Sequence, residues 1–354
     1  MNAFTKTWML ASLVTASSVF AQNPDKCRNN QKAPAPTPAP MTAAYNAPSR
    51  VEVRSTWDIY VQASFIYWLP DQDNMEYAIS SSGSSLQGTS NNIEKLEPNF
   101  KPGFQIQGGM IFDYDNWDSY LQYTWFHNTN ESSESAVAGG NLYPILGIPV
   151  DAGTSDGYSS AKGSWNLRMD FAEWVLSRSY YMSPKITCRP MCGIRGAWIR
   201  QKYDTQYVSN ANTMNVANKS VSWGLGPEFG LTTNYTFAHG LRVFGDLGAD
   251  LLFTRYSTSS VHETDSSTGY SYSIKESSIN TIRPHAAVDL GFGWSSYFDN
   301  NNWHVDLMAS YGFQVFWDQN MFRTFTDNVA FAHSFTPSGN LYIQGLNLSA
   351  KFDF

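Results

Sequence analysis

The sequence predicts an all-β fold: a transmembrane, antiparallel, up-and-down β-barrel of about ten strands, with about ten to twelve compatible with the pattern. Three observations carry this reading. Aromatic residues make up 15% of the chain while mean hydropathy is only −0.35, the balance expected of strands that are apolar on one face. Apolar and polar residues alternate over most of the chain beyond Trp57. The connections between these stretches are alternately short and long.

The alternation begins with Trp57, Ile59, Val61, Ala63, Phe65 and Tyr67, separated by Asp58, Tyr60, Gln62 and Ser64. It returns over Phe104–Phe112, Trp117–Phe126, Trp165–Tyr181, Ile186–Tyr203, Val221–Thr233, Leu241–Tyr256, Ile282–Phe298, Trp303–Phe316 and Leu341–Phe354. In the fourth stretch the apolar parity changes from Trp165, Leu167, Met169 and Phe171 to Trp174 and Leu176, which a bulge near Ala172–Glu173 would produce, as would a strand boundary placed elsewhere.

Short links fall at 113–116, 182–185, 234–240 and 299–302. Long polar ones fall at about 70–103, 127–163, 204–220, 257–281 and 317–340. Short periplasmic turns opposed to long external loops are the pattern of outer-membrane barrels, and the parity of links places both termini on the periplasmic side. Rings cluster at both ends of the strands, among them Tyr114, Trp117 and Trp303 beside the short links and Trp68, Trp125, Trp198 and Trp223 beside the long ones. Two such belts suit the two membrane–water boundaries.

Ahead of the barrel, residues 1–21 read as a signal peptide: Lys6, an apolar stretch to Phe20, and small side chains before a cut after Ala21. Residues 22–50 read as a disordered Pro/Ala-rich periplasmic linker, leaving 51–354 for the barrel. A net charge of −7 without a Lys/Arg cluster argues against a nucleic-acid partner. The expected address is the bacterial cell outer membrane.

If the ring-bearing face meets lipid, the alternate side chains face the lumen. The candidate pore-lining residues are Arg168, Asp170, Arg189, Arg195, Glu228, Arg242, Asp246, Asp250, Arg283, His285, Asp289, His304 and Asp306, with Lys351 and Asp353 near the end. Opposed charges in a water-filled channel bias which solutes pass, whereas charges that pair would plug a narrow barrel. Inward glycines such as Gly109, Gly193, Gly291, Gly293 and Gly312 lean towards an open passage. The apolar island "NLYPILGIPV" in the second long loop is a candidate constriction folded back into the barrel, or an ordinary loop cap packed on the rim.

The closing strand carries Tyr342, Phe352 and the terminal Phe354, which resemble the C-terminal signal read by the barrel-assembly machinery, with Ser349 at its usual glycine position. Cys27, Cys188 and Cys192 are candidates for an intermolecular disulfide in a homo-oligomer, or are small side chains without that role. Cys188 and Cys192 lie at i and i+4 on one strand, ~13 Å apart, too far to bridge each other or share a metal. No cofactor or metal is expected.

The stretches "WDIYVQASFIYWLPDQDNMEYA" (57–78), "FDYDNWDSYLQYTWFH" (112–127), "CRPMCGIRGAWIRQKY" (188–203) and "WGLGPEFG" (223–230) resemble the Legionella-type pore-forming major outer membrane protein family, shared with chlamydia-related bacteria. The resemblance implies a porin passing small hydrophilic solutes or ions, held in outer-membrane lipid and without an enzymatic centre. Two other readings stay open: an outer-membrane hydrolase using His127, His262 or His333, and an adhesin or structural coat protein whose loops bind a partner.

Overall fold

The computed structural model describes residues 49, 51–53, 58–87, 89–113, 115–146, 157–209, 212–266, 269–325, 334–335 and 339–354. The predicted signal peptide, nearly all of the linker, Cys27, Trp57, Tyr114 and His333 lie outside them. Among the described residues ten long strands form the wall: β1 (Ile59–Gln72), β2 (Lys101–Ile111), β3 (Asp118–Ser135), β4 (Ser160–Ser177) and β5 (Ile186–Val208). These are followed by β6 (Thr213–Thr236), β7 (Leu241–Asp265), β8 (Ile279–Phe298), β9 (Trp303–Phe316) and β10 (Leu341–Asp353). Each pairs antiparallel with its neighbours in sequence, and β10 closes on β1 from Tyr60↔Asp353 to Gln72↔Leu341.

Closure follows from the solvent. Backbone groups facing hydrocarbon have no water to bond, so only a sheet without edges is stable there. The last residue takes part: Ile59 N donates to Phe354 O at 3.2 Å and Phe354 N to Ile59 O at 3.0 Å. The short links turn on residues that tolerate left-handed backbone, such as Asp115 and Asn116, His239 and Gly240, and Asp299, Asn300 and Asn301.

Side chains on the wall face alternately in and out. Val61, Phe65, Phe104, Ile106, Leu121, Trp174, Ile194, Leu225, Phe229, Leu247, Leu290, Phe292, Leu307 and Leu348 all point outward and are exposed on the bare chain, forming the lipid-facing band. On β3, β5 and β6 its outer limit is the row of Trp125, Trp198 and Trp223, in which Trp125 and Trp198 both oppose Asp170 and Trp198 opposes Trp223. On β1 and β2, where Phe65 opposes Phe104 and Phe104 opposes Trp125, exposed Tyr67 and Phe100 continue beyond it. Phe104 and Trp125 stack at 5.4 Å.

Above that row the strands continue. The "long loops" at 127–163, 204–220 and 257–281 are in large part strand: β3 runs to Ser135, β5 and β6 extend to Val208 and from Thr213, and β7 reaches Asp265. In these extensions the polarity of the two faces is exchanged. Tyr203, Tyr207 and Val216 point inward and are buried, while Lys202, Gln206, Asn215 and Lys219 point outward into water.

The predicted bulge at Ala172–Glu173 is therefore corrected. β4 keeps one register with β3 and with β5 throughout, and its odd-numbered residues from Ala161 to Ser177 all face inward. What changes along β4 is the solvent on its outer side. A register shift does occur elsewhere, where Val221 opposes Thr258 and Ser222 opposes Tyr256, leaving Ser257 as the extra residue.

The outer half of the barrel encloses an apolar core. Ile66, Trp68, Phe126, Trp165, Leu167, Met169, Phe171, Ile199, Tyr203 and Tyr207 come from the wall, and Met75, Tyr77, Ala78, Leu96, Leu142, Leu146 and Phe322 from the connections. A small sheet of Glu76–Ser81 flanked by Asn91–Lys95 and Asn141–Pro144 supports several of these. Tyr203 Oη donates to Met75 O at 3.0 Å, and Tyr207 Oη donates to Tyr77 O, so this connection is tied across the barrel mouth.

Candidate pore lining

Below the apolar core the inward side chains are polar and charged. Arg195, from β5, is the centre of the largest group: its Nε lies 2.9 Å from Glu173 on β4, Nη2 2.8 Å from Glu228 on β6, and Nη1 2.7 Å from Asp250 on β7. His285 on β8 brings Nδ1 to 2.6 Å from Asp250 and 2.8 Å from Arg195 Nη1. Its ring stacks on Phe316 at 4.0 Å, where the polar half meets the apolar core.

Nearer the periplasmic rim a second group joins β1, β3, β4 and β5. Tyr60 Oη donates to Asp118 at 2.8 Å, Arg189 Nε donates to Ser177 Oγ at 2.8 Å, and the Arg189 guanidinium also pairs with Asp118. On the opposite wall Arg242 bonds Asp306 at 2.5 Å and Asn234 Oδ1 at 3.1 Å. Asp289 accepts from Asn347 Nδ2 at 2.6 Å and faces Asp246 directly across the β7–β8 ladder. At the rim His304 Nδ1 lies 2.8 Å from Asp353, and Lys351 Nζ lies 2.7 Å from the same carboxylate.

Of the residues predicted to face the lumen, Arg189, Arg195, Glu228, Arg242, Asp246, Asp250, Arg283, His285, Asp289, His304 and Asp306 point inward, as do Lys351 and Asp353. Arg283 stands higher than the rest, against Tyr256 and 3.7 Å from Asp318. Arg168 and Asp170 are corrected: they point outward from β4, because Leu167, Met169 and Phe171 occupy its inner face. Asp170 accepts from Tyr123 Oη at 2.8 Å and lies 3.8 Å from His127, all on the outer surface.

Sequence reasoning missed Asp118 and Glu173, both of which belong to the ion-pair groups. A constant parity on β4 would have found Glu173, since it lies on the same face as Ser177. Several inward glycines also do not leave open space, although Gly248 meets nothing nearer than Ala287 Cβ at 4.0 Å. A Cβ on Gly109 would stand 2.5 Å from Tyr60 Cζ, one on Gly291 2.7 Å from Phe244 Cζ, and one on Gly293 2.9 Å from Arg242 Cζ. Each of these three glycines accommodates a large neighbouring side chain.

Tyr342, Phe352 and Phe354 all lie on the lipid side of β10. Cys192 is exposed on the outer face of β5 and Cys188 half-buried, both as free thiols. Of the candidate constriction only residues 141–146 are described; Leu142 and Leu146 enter the apolar core and the remainder lies outside.

In the solved structures, the chain resembles outer membrane protease OmpT from Escherichia coli at 12% identity over 84% of this chain and 97% of that one, with a TM-score of 0.36. A major outer membrane protein from Thermus thermophilus gives 13% identity over 82% and 99%, TM-score 0.26. The Pseudomonas putida toluene transporter TodX gives 7% over 84% and 90%, TM-score 0.25. Similarity this low transfers no activity. No curated protein matches the chain. Residues 49–354, the whole closed barrel, match the family described as Legionella pneumophila major outer membrane protein precursor, and the chain is a member of that outer-membrane family.

Proposed function

We propose that the barrel passes small hydrophilic solutes and ions by passive diffusion, favours cations, and is narrowed at its outer end by the apolar core. The observation that carries this is the sign of the inner half. Among the described residues, four cationic side chains (Arg189, Arg195, Arg242 and Lys351) share it with eight carboxylates (Asp118, Glu173, Glu228, Asp246, Asp250, Asp289, Asp306 and Asp353). Ionisable groups at membrane depth are costly, and where they occur they tend to mark an ion pathway. An excess of carboxylates on a narrow wall concentrates cations and repels anions.

The connection carrying Met75, Tyr77 and Ala78 fills the mouth and is held there by Tyr203 and Tyr207, so it is the segment whose removal would widen the passage. A second reading, a closed barrel serving as a structural anchor or adhesin base, is favoured by the three carboxylates that saturate Arg195 and by the occupied glycine positions. We read the chain as non-enzymatic. His285 and His304 are held in ion-pair groups inside the barrel and His262 is exposed on the outside, an arrangement suited to a wall and a surface.

Single-channel recording of the purified chain in a planar bilayer tests the proposal. Small, cation-selective steps are expected, enlarged when the 76–95 hairpin is replaced by a short Gly/Ser link. Replacing Arg189 and Arg195 with Ser shifts the reversal potential further towards cations. Silence from both the full chain and the trimmed one would leave the closed anchor.

A further inference from the structure

The outward face of β4–β6 carries a basic cluster that the pore reading does not use. Arg168 and Arg200 are direct cross-strand partners, and Lys202, two residues further along β5, directly opposes Lys219 on β6. All four are exposed. Like charges placed opposite each other on a ladder repel, so the pairing costs stability unless an anion sits between them. No carboxylate among the described residues pairs with Arg168, Arg200 or Lys219. Asp170, the nearest in sequence to Arg168, is bonded to Tyr123 at 2.8 Å, and Asp204 is taken by Lys202 at 2.6 Å.

The height of the cluster is equally informative. Asp170 opposes both Trp125 and Trp198, and Trp198 opposes Trp223, which fixes the outer ring row. Arg168 and Arg200 lie two residues above that row, ~7 Å along the strands. This is the headgroup level of the outer leaflet. Directly beneath, on the same strand, Trp198 and Ile194 face the hydrocarbon. A ligand seated on the cluster thus continues downward along an apolar wall.

We infer that this face binds a phosphorylated lipid headgroup of the outer leaflet, with its acyl chains lying on β4–β6. Two guanidinium forks offer paired N–H donors to phosphate oxygens, and the Lys219 ammonium above them adds charge at a second position, Lys202 being held by Asp204. The lateral aim and the apolar wall below select a lipid over a free anion.

The test uses the purified full chain in phosphatidylcholine nanodiscs, with diphosphoryl lipid A and its dephosphorylated form as probes. The phosphorylated probe is expected to bind and the dephosphorylated one to bind far more weakly. R168S/R200S should weaken binding about tenfold per arginine. R168K/R200K should recover part of the loss, and K185S on the opposite rim should change nothing. An unchanged gel shift between unheated and heated samples confirms that each variant keeps its barrel. Equal retention by wild type and R168S/R200S, or no discrimination between the two probes, overturns the inference. So does inorganic phosphate binding to detergent-solubilised protein as tightly as the lipid, which would mark a site for free anions.

Discussion

The two halves of β4 are built to opposite rules. In its lower half Glu173 and Ser177 face the interior while Trp174 and Leu176 face lipid. In its upper half Leu167 and Met169 face the interior, each 0% exposed, while Asn166 and Arg168 face water. The backbone does not change between them, and neither does the register. A strand puts its apolar residues wherever water is absent. In the membrane that is the outside of the barrel, and above the membrane it is the inside. One wall therefore holds a polar lattice under an apolar core, and the ring row at Trp125, Trp198 and Trp223 marks where the rule reverses.

Substitutions on either side of that row break the comparison most cleanly. The largest effect is expected from Leu167→Asp, which places an unpaired charge in the apolar core and should cost about 5 kcal/mol. Urea unfolding followed by tryptophan fluorescence checks it. Next comes Arg195→Ser, which leaves Glu173, Glu228 and Asp250 without their counter-ion. Breaking such a buried group costs about 3–5 kcal/mol, and in the same protein the reversal potential should move towards cations.

Leu121→Arg comes third. Leu121 lies between Trp117 and Trp125 on the lipid side and is 65% exposed on the bare chain. A charge near the bilayer midplane should cost about 2–4 kcal/mol in vesicles. The smallest effect belongs to Arg168→Leu, which is outward but above the rings; its unfolding should stay within about 0.5 kcal/mol of wild type. Were Arg168 a pore-wall residue, the same change would alter selectivity, so a flat conductance record sharpens the distinction.

Strand order and closure were legible in the sequence because they depend on contrast between alternate residues, which the chain displays from Val61 to Phe354. Of the rings expected in the outer belt, Trp125, Trp198 and Trp223 face outward, whereas Trp68 is corrected, being buried in the interior core. The sign of that contrast was not legible everywhere. Trp165, Leu167, Met169 and Phe171 alternate with polar residues as strongly as Phe65 and Tyr67 do, yet they face the other way. Nothing local separates the two cases; the level of the membrane does, and that is set by rows running across strands distant in sequence. The same blindness hid Glu173, turned Arg168 and Asp170 the wrong way, and made the extended strands at 204–208 and 213–220 read as loop. Glycine spacing misled for a related reason: the side chain filling Gly109 belongs to Tyr60, on the neighbouring strand.

The reversal itself is open to direct measurement. In a background with every cysteine replaced, single cysteines at Leu121, Ile194, Arg168 and Lys202 would carry spin labels in lipid nanodiscs, and their relaxation by oxygen and by a water-soluble nickel chelate would be compared. Labels at Leu121 and Ile194 should respond mainly to oxygen, and those at Arg168 and Lys202 mainly to nickel, with the change occurring across the Trp125–Trp198 row. Oxygen-dominated relaxation at Arg168 and Lys202 would place the upper strands in hydrocarbon and contradict the account.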